Sequence, residues 1–155
     1  SRAEPGIDYV SRVAREKAGA GLLQVVAVPA ALVMGADTEV ELNGEIFGKP
    51  TDAVDAAAML GRLAGRTHRV ISVVWCVNAG KEDHVVSVSE VSMASMDRAS
   101  IDAYVATGEA FGKAGAYAIQ GRAASFISHL SGSYSGVMGL PLHETSLLLE
   151  RFRGS

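Results

Sequence analysis

Apolar positions early in the chain recur at helical spacing. Val10, Val13, Ala14, Lys17, Ala18 and Gly21 share one stripe, while Arg12, Arg15 and Glu16 fall off it, which predicts a helix from Asp8 to about Gly21. Lys17 is therefore a cation on the inward-leaning face. Apolar residues from Ala30 to Met34 predict a strand that leads into Gly35. Alternation from Val40 to Ile46 around Asn43-Gly44 predicts a hairpin, because that dipeptide readily adopts the positive φ angles of a tight turn. Pro50-Thr51-Asp52 opens a second helix with Ala53, Ala56, Ala57, Leu60 and Ala64 as its stripe, and Gly65 ends it.

The second half continues the mixture. Val70 to Val77 is an unbroken valine-rich run, as expected of a strand buried on both faces. After the Asn78–Lys81 turn, Val85 to Met93 reads as a further strand. Its alternation changes phase between Val88 and Val91, which predicts a bulge. Asp97 caps a third helix carrying Ile101, Tyr104 and Val105, closed by Gly108. A small-residue stretch, Ala114–Gly121, precedes a short strand at Phe126–Leu130 and a loop at Ser131–Gly136. Leu142, Thr145, Leu148, Leu149 and Phe152 stripe a final helix. Helices and strands intermix without internal repeats, so the expected class is α/β (mixed α+β), in a single domain over residues 1–155.

Composition narrows the function. A net charge of −3 supplies no basic field for a duplex nucleic acid, but a local cluster of cations can still take a small anion. The single cysteine, Cys76, sits in the apolar run and reads as a core thiol, which fits a reducing, cytoplasmic setting. No apolar run reaches the roughly 18 residues of a membrane span. Phosphate-binding glycine loops, nucleophile elbows and paired cysteines are absent. His68, His84, His129 and His143 lack metal-ligand spacing and are expected to be surface or structural groups.

A few residues remain as candidate chemistry. Asp37 follows an apolar strand and a glycine; it either faces a cleft, to hold a metal or deprotonate a water, or bonds its own turn. Lys49, between Gly48 and Pro50 ahead of a helix, is a point-charge partner for phosphate or a solvated loop lysine. Lys17 either snorkels over the core edge or turns its amine into the cleft. Gln120 reads a base, holds a water, or is a satisfied edge amide. Taken together they fit a small polyanion handled with a divalent ion, and do not choose a substrate.

In combination the stretches are more specific. Tyr9–Ala18, Gly35-Ala36-Asp37-Thr38, Leu42–Ile46 with Gly48-Lys49-Pro50, Gly65–His68, Ala103-Tyr104-Val105, Lys113–Tyr117 with Ile119-Gln120-Gly121, and Gly132-Ser133-Tyr134 with Gly139–Leu142 occur in an order that resembles the Maf family of nucleoside triphosphate pyrophosphatases. The resemblance runs from about Glu4 to the end. It implies a curved mixed sheet flanked by helices, with two lobes around a deep cleft. It also implies hydrolysis of the α–β phosphoanhydride to a monophosphate and pyrophosphate with Mg²⁺ or Mn²⁺, in a cytoplasmic homodimer that binds neither nucleic acid nor membrane.

By the same resemblance, Asp37 is the proton acceptor and metal ligand, and Lys17 and Lys49 hold the phosphates. Thr38, Gln120, Lys113 and Arg12 are implied to contact the substrate. Gly-Ala-Asp-Thr paired with Ile-Gln-Gly is similar to the subgroup acting on dTTP and UTP, with house-cleaning of nucleotide pools, modified pyrimidines included, as the implied role. The chain departs from the family pattern at Gly112, where aspartate is usual, at Ala94, at Ser72 and at Ala118. A first strand and a Ser-x-Ser-Pro-Arg-Arg segment, with a glutamate upstream of Glu4, are expected to precede what is given, and without them little turnover is expected. The alternative reading is a catalytically impaired nucleotide-binding or regulatory protein of the same fold, linked to cell division.

Overall fold

The computed structural model describes residues 6–24 and 32–153. Within them α1 (Gly6–Gln24) extends the expected helix at both ends. Val10, Ala14 and Ala18 lie one turn apart and are fully buried. Next comes β1 (Val33–Leu42), and here the structure corrects the sequence reading. Gly35 does not end a strand: β1 passes straight through Gly35-Ala36-Asp37-Thr38, so Asp37 is a mid-strand residue. Ala30 and Ala31, where the strand was expected to open, lie outside the described residues.

The hairpin forms as expected. Asn43 and Gly44 have φ of 52° and 86°, and Leu42 faces Glu45 at the start of β2 (Glu45–Phe47). The helix α2 (Ala53–Leu63) is capped by Asp52, whose carboxylate accepts from the Asp55 amide. Its buried stripe is Ala56, Ala57, Leu60 and Leu63, so Leu63 replaces the expected Ala53 and Ala64. β3 (Thr67–Val77) is the valine-rich central strand, followed by β4 (Glu82–Met93). Asp97 caps α3 (Arg98–Ala106), β5 (Ile127–Ser131) follows, then the short α4 (Tyr134–Met138) and the last helix α5 (Leu142–Phe152).

The five strands form one sheet in the order β2-β1-β3-β4-β5, and every pairing among them is antiparallel. One face of β1 and β3 packs under α1, where Val10 and Ala14 meet Ile71 and Val73. The other face carries the main core, in which Val40, Leu42 and Val70 pack with Leu60, Leu63, Ile101 and Tyr104 of α2 and α3. Farther along that face α5 covers Val74 and Cys76 with Leu148.

Two expectations fail for physical reasons. β4 keeps one alternation throughout, with Ser87, Ser89, Val91 and Met93 inward and Val86 and Val88 partly exposed. Its register against β3 is unbroken, and the irregularity lies between Ser92 and Met93 on the β5 side. Small serines point inward because α4 and the preceding loop approach closely there: a Cβ added at Gly136 would lie 2.8 Å from Ser87 Oγ. In α5, only Thr145 and Leu148 of the expected stripe are buried, while Leu142 and Leu149 are exposed, since the helix meets the sheet along a narrow line.

Helix and sheet approach backbone to backbone at Gly35. A Cβ built there would collide with the Ala14 carbonyl oxygen and the Ala18 amide nitrogen. Deeper in the main core His68 is 1% exposed and its Nε2 lies 2.7 Å from the Tyr117 hydroxyl. Burial lowers the His68 pKa to about 4.

Two outcomes are expected. Gly35→Ala forces α1 off the sheet and should cost about 1–3 kcal/mol, read by urea unfolding. Neutral in the fold, His68 has a pKa below that of the unfolded chain, so its contribution is complete above pH 6.5 and lost as the pH falls towards 4. The loss should reach roughly 3 kcal/mol, and His68→Gln should flatten that part of the stability–pH curve.

Candidate active site

β1 has a neighbour on both sides only where Val40–Leu42 faces β2. From Val33 to Glu39 it pairs with β3 alone among the described residues. Side chains from both faces reach this stretch. They line a cavity of about 270 Å³ with Lys17 of α1, Asp37, Thr38 and Glu39 of β1, and the loop residues Lys49 and Lys113. The opposite wall is Tyr117 with Val137, Met138 and Gly139.

Asp37 is the centre of the arrangement. Its side chain is 10% exposed, and Oδ1 accepts from Lys17 Nζ at 3.0 Å. The same ammonium donates to the Ala36 carbonyl at 3.2 Å. Asp37 Oδ2 is buried and has no hydrogen-bond partner. An unpaired buried carboxylate oxygen is energetically unfavourable, so the position favours a group that the described residues do not supply. Two chemistries suit it: taking a proton from a water, or binding a hard cation.

Glu39, two residues on, was missed by the sequence reading. Strand periodicity puts Asp37 and Glu39 on the same face of β1. Burial, followed by the charge of Asp37, raises the Glu39 pKa to about 7, against the opposing pull of Lys17 and Lys49. The signal was present in the i, i+2 spacing, but it has meaning only once the strand is known to continue past Gly35.

Thr38 points to the opposite face. Its Oγ1 lies 2.7 Å from Ser72 Oγ and donates to the Gly139 carbonyl at 3.2 Å. Ser72 in turn donates to the Gly136 carbonyl at 2.6 Å. These hydroxyls hang the α4 wall of the cavity from the sheet. Lys49 and Lys113 come from two loops that dock on one another, where the Gly115 amide donates to the Gly48 carbonyl at 3.1 Å. Gly115 has φ of 73°, and a Cβ there would lie 2.8 Å from Val40 Cγ2, so glycine is required on both counts.

Arg12 and Gln120 do not join this cavity. Arg12 sits on the outer side of α1, paired with Glu16 at 3.2 Å and over the Tyr9 ring, and lines a separate groove beside Trp75. Gln120 is exposed in a turn beyond Tyr117. Of the departures from the family pattern, Gly112 lines the cavity and Ser72 supports its wall. Among the described residues no three His, Cys, Asp or Glu side chains gather into a metal cage, and no helix is long and apolar enough to cross a membrane.

The chain is also similar to known proteins. Residues 1–152 match the family model described as Maf-like protein. The chain is 57% identical over 149 residues to a nucleoside triphosphate pyrophosphatase of Xylella fastidiosa, covering 96% of this chain and 79% of that protein. It is 59% identical over 146 residues to a dTTP/UTP pyrophosphatase of Xanthomonas euvesicatoria, covering 93% and 77%. A dTTP/UTP pyrophosphatase of Xanthomonas axonopodis shows the same identity and coverage.

The ion pair generates a stability prediction. Lys17 is half exposed and only partly compensates Asp37. Lys17→Met should therefore destabilise the fold by about 1 kcal/mol, whereas Asp37→Asn should leave it as stable or more so, because an uncompensated charge is removed. Urea unfolding of both single variants and the double variant at low ionic strength measures the coupling.

Proposed function

The chain belongs to the Maf family, and from that premise we propose that it is a nucleoside triphosphate pyrophosphatase acting on dTTP and UTP, with modified pyrimidine triphosphates as further substrates. The observation that carries this reading is the buried, unpartnered Oδ2 of Asp37 in a cavity lined by three lysines. The names of the similar proteins from Xylella and Xanthomonas support the same reaction and the pyrimidine preference.

In the proposed reaction a water attacks phosphorus at the α–β anhydride, and the bridging P–O bond breaks to leave monophosphate and pyrophosphate. Asp37 is the carboxylate beside the reacting water and accepts the proton that the water loses. Lys17 holds Asp37 in place through Oδ1 and adds positive charge beside the reacting phosphate. Lys49 and Lys113 approach from the loop side and neutralise charge spread over the phosphate oxygens. Desolvation within the cavity strengthens each of these interactions.

A divalent ion such as Mg²⁺ or Mn²⁺ fits the residues present. Carboxylate oxygens are the hard donors such ions select, and the orphaned Asp37 Oδ2 is the atom that would hold one. When bound it supplies Lewis-acid stabilisation of phosphate charge. Thr38 shapes the cavity by fixing the α4 wall, which is how it would influence substrate choice. A homodimer with a role in cleansing nucleotide pools completes the reading.

The test is direct. The protein should release pyrophosphate and UMP from UTP, and pyrophosphate and TMP from dTTP, faster than from ATP or GTP. Asp37→Asn should lower kcat by about 10²–10⁴-fold. Undiminished turnover in that variant would remove Asp37 from the role.

A further inference from the structure

We propose that Glu39 is the second carboxylate ligand of the divalent cation at this site, so that Asp37 and Glu39 hold the ion between them. The inference rests on the pyrophosphatase reading for the nucleotide, but not for the cation site itself.

Five observations carry it. Asp37 and Glu39 are i, i+2 residues of a continuous strand, on the same face and at an edge that no described strand covers. Both line the one cavity with Lys17 and Lys49. Asp37 is nine-tenths buried, yet its Oδ2 has no partner, so one oxygen is already desolvated and waiting. Glu39 closes no salt bridge among the described residues, although three lysines line its cavity. A Cβ added at Gly48 would lie 3.8 Å from Glu39 Oε2, so the carboxylate reaches towards the Gly48-Lys49 segment.

Charge gives the reason for a cation here. A triphosphate entering the cavity meets the lysines but also two carboxylates on one strand face, and like charges at such range repel. A divalent ion held by both carboxylates converts that repulsion into attraction. One or two carboxylates, with the remaining positions filled by waters and substrate phosphate oxygens, is the ordinary way in which Mg²⁺ is bound in phosphate-handling sites.

Mn²⁺ binding, measured by electron paramagnetic resonance of the free ion and by calorimetry on the full chain without nucleotide, tests this. The parent should bind one Mn²⁺, Glu39→Gln should weaken binding at least tenfold, and Asp37→Asn should do the same. Glu39→Asp keeps the charge but shortens the reach, so it should also weaken binding; an unchanged affinity would mean that Glu39 acts only through its field, which overturns the proposal. A parent that binds no Mn²⁺, or a Glu39→Gln variant within twofold of the parent, overturns it too. Urea unfolding confirms that each variant is folded. Without metal, a non-hydrolysable UTP analogue should bind Glu39→Gln more tightly than the parent. Pyrophosphate release from UTP is scored separately. Glu39-dependent Mn²⁺ binding without turnover leaves the cation site standing and removes the pyrophosphatase reading. Turnover with Glu39-independent Mn²⁺ binding does the reverse.

Discussion

The approach of α1 to β1 at Gly35 is the contact on which the site depends. Backbone meets backbone there, because Ala14 and Ala18 offer almost no side chain and Gly35 offers none. Such a contact brings the helix a full side-chain layer nearer to the strand than a valine or leucine would allow. Lys17, one residue before Ala18 in the helix, is thereby lowered onto Asp37, two residues after Gly35 in the strand. Small residues in the packing layer thus decide where a charge sits in the site layer. Val10, Ile71 and Val73 hold the same helix farther down, so its axis is defined by contacts at two heights.

The same edge position explains the electrostatics. A strand with neighbours on both sides exposes side chains only above and below, whereas along the stretch of β1 that no described strand covers, groups from both faces share one cavity. Asp37 and Glu39 come from one face, Thr38 from the other, and the lysines from a helix and two loops. Interior charges are tolerated here because opposite charges are interleaved with them, although the compensation is incomplete: one oxygen of Asp37 remains without a partner. Incomplete compensation in a folded protein is unfavourable for stability and useful for binding, as it reserves an interaction for a ligand.

Much of the fold could be read from the sequence, and the exceptions have identifiable causes. Asn43-Gly44, Asp52, Asp97 and the valine run of β3 each behave as local chemistry dictates, since turns, caps and fully buried strands depend on few distant contacts. The reading of Gly35 as a strand end failed because glycine signals both turns and close packing, and only the helix above it distinguishes the two. Serines at the inward positions of β4 misled in a similar way: their burial follows from glycines more than forty residues away. At the site, Asp37, Lys17, Lys49, Lys113 and Thr38 do gather, whereas Arg12 and Gln120 stand apart. Glu39 was hidden because its significance depends on strand continuity, which no local motif announces.

The α4 wall reaches the sheet through Ser72, Ser87 and Gly136, and Thr38 holds its Gly139 end. Directional bonds from two hydroxyls to two carbonyls place this wall, with Val137 packing against the core beside them. Met138, nearly half exposed on the cavity side, takes no part in that attachment. Its side chain is consequently free to vary in size and polarity while the scaffold beneath keeps its position. The site thus separates its anchoring from its lining, and the shape of the cavity can be retuned at Met138 without first repacking the core.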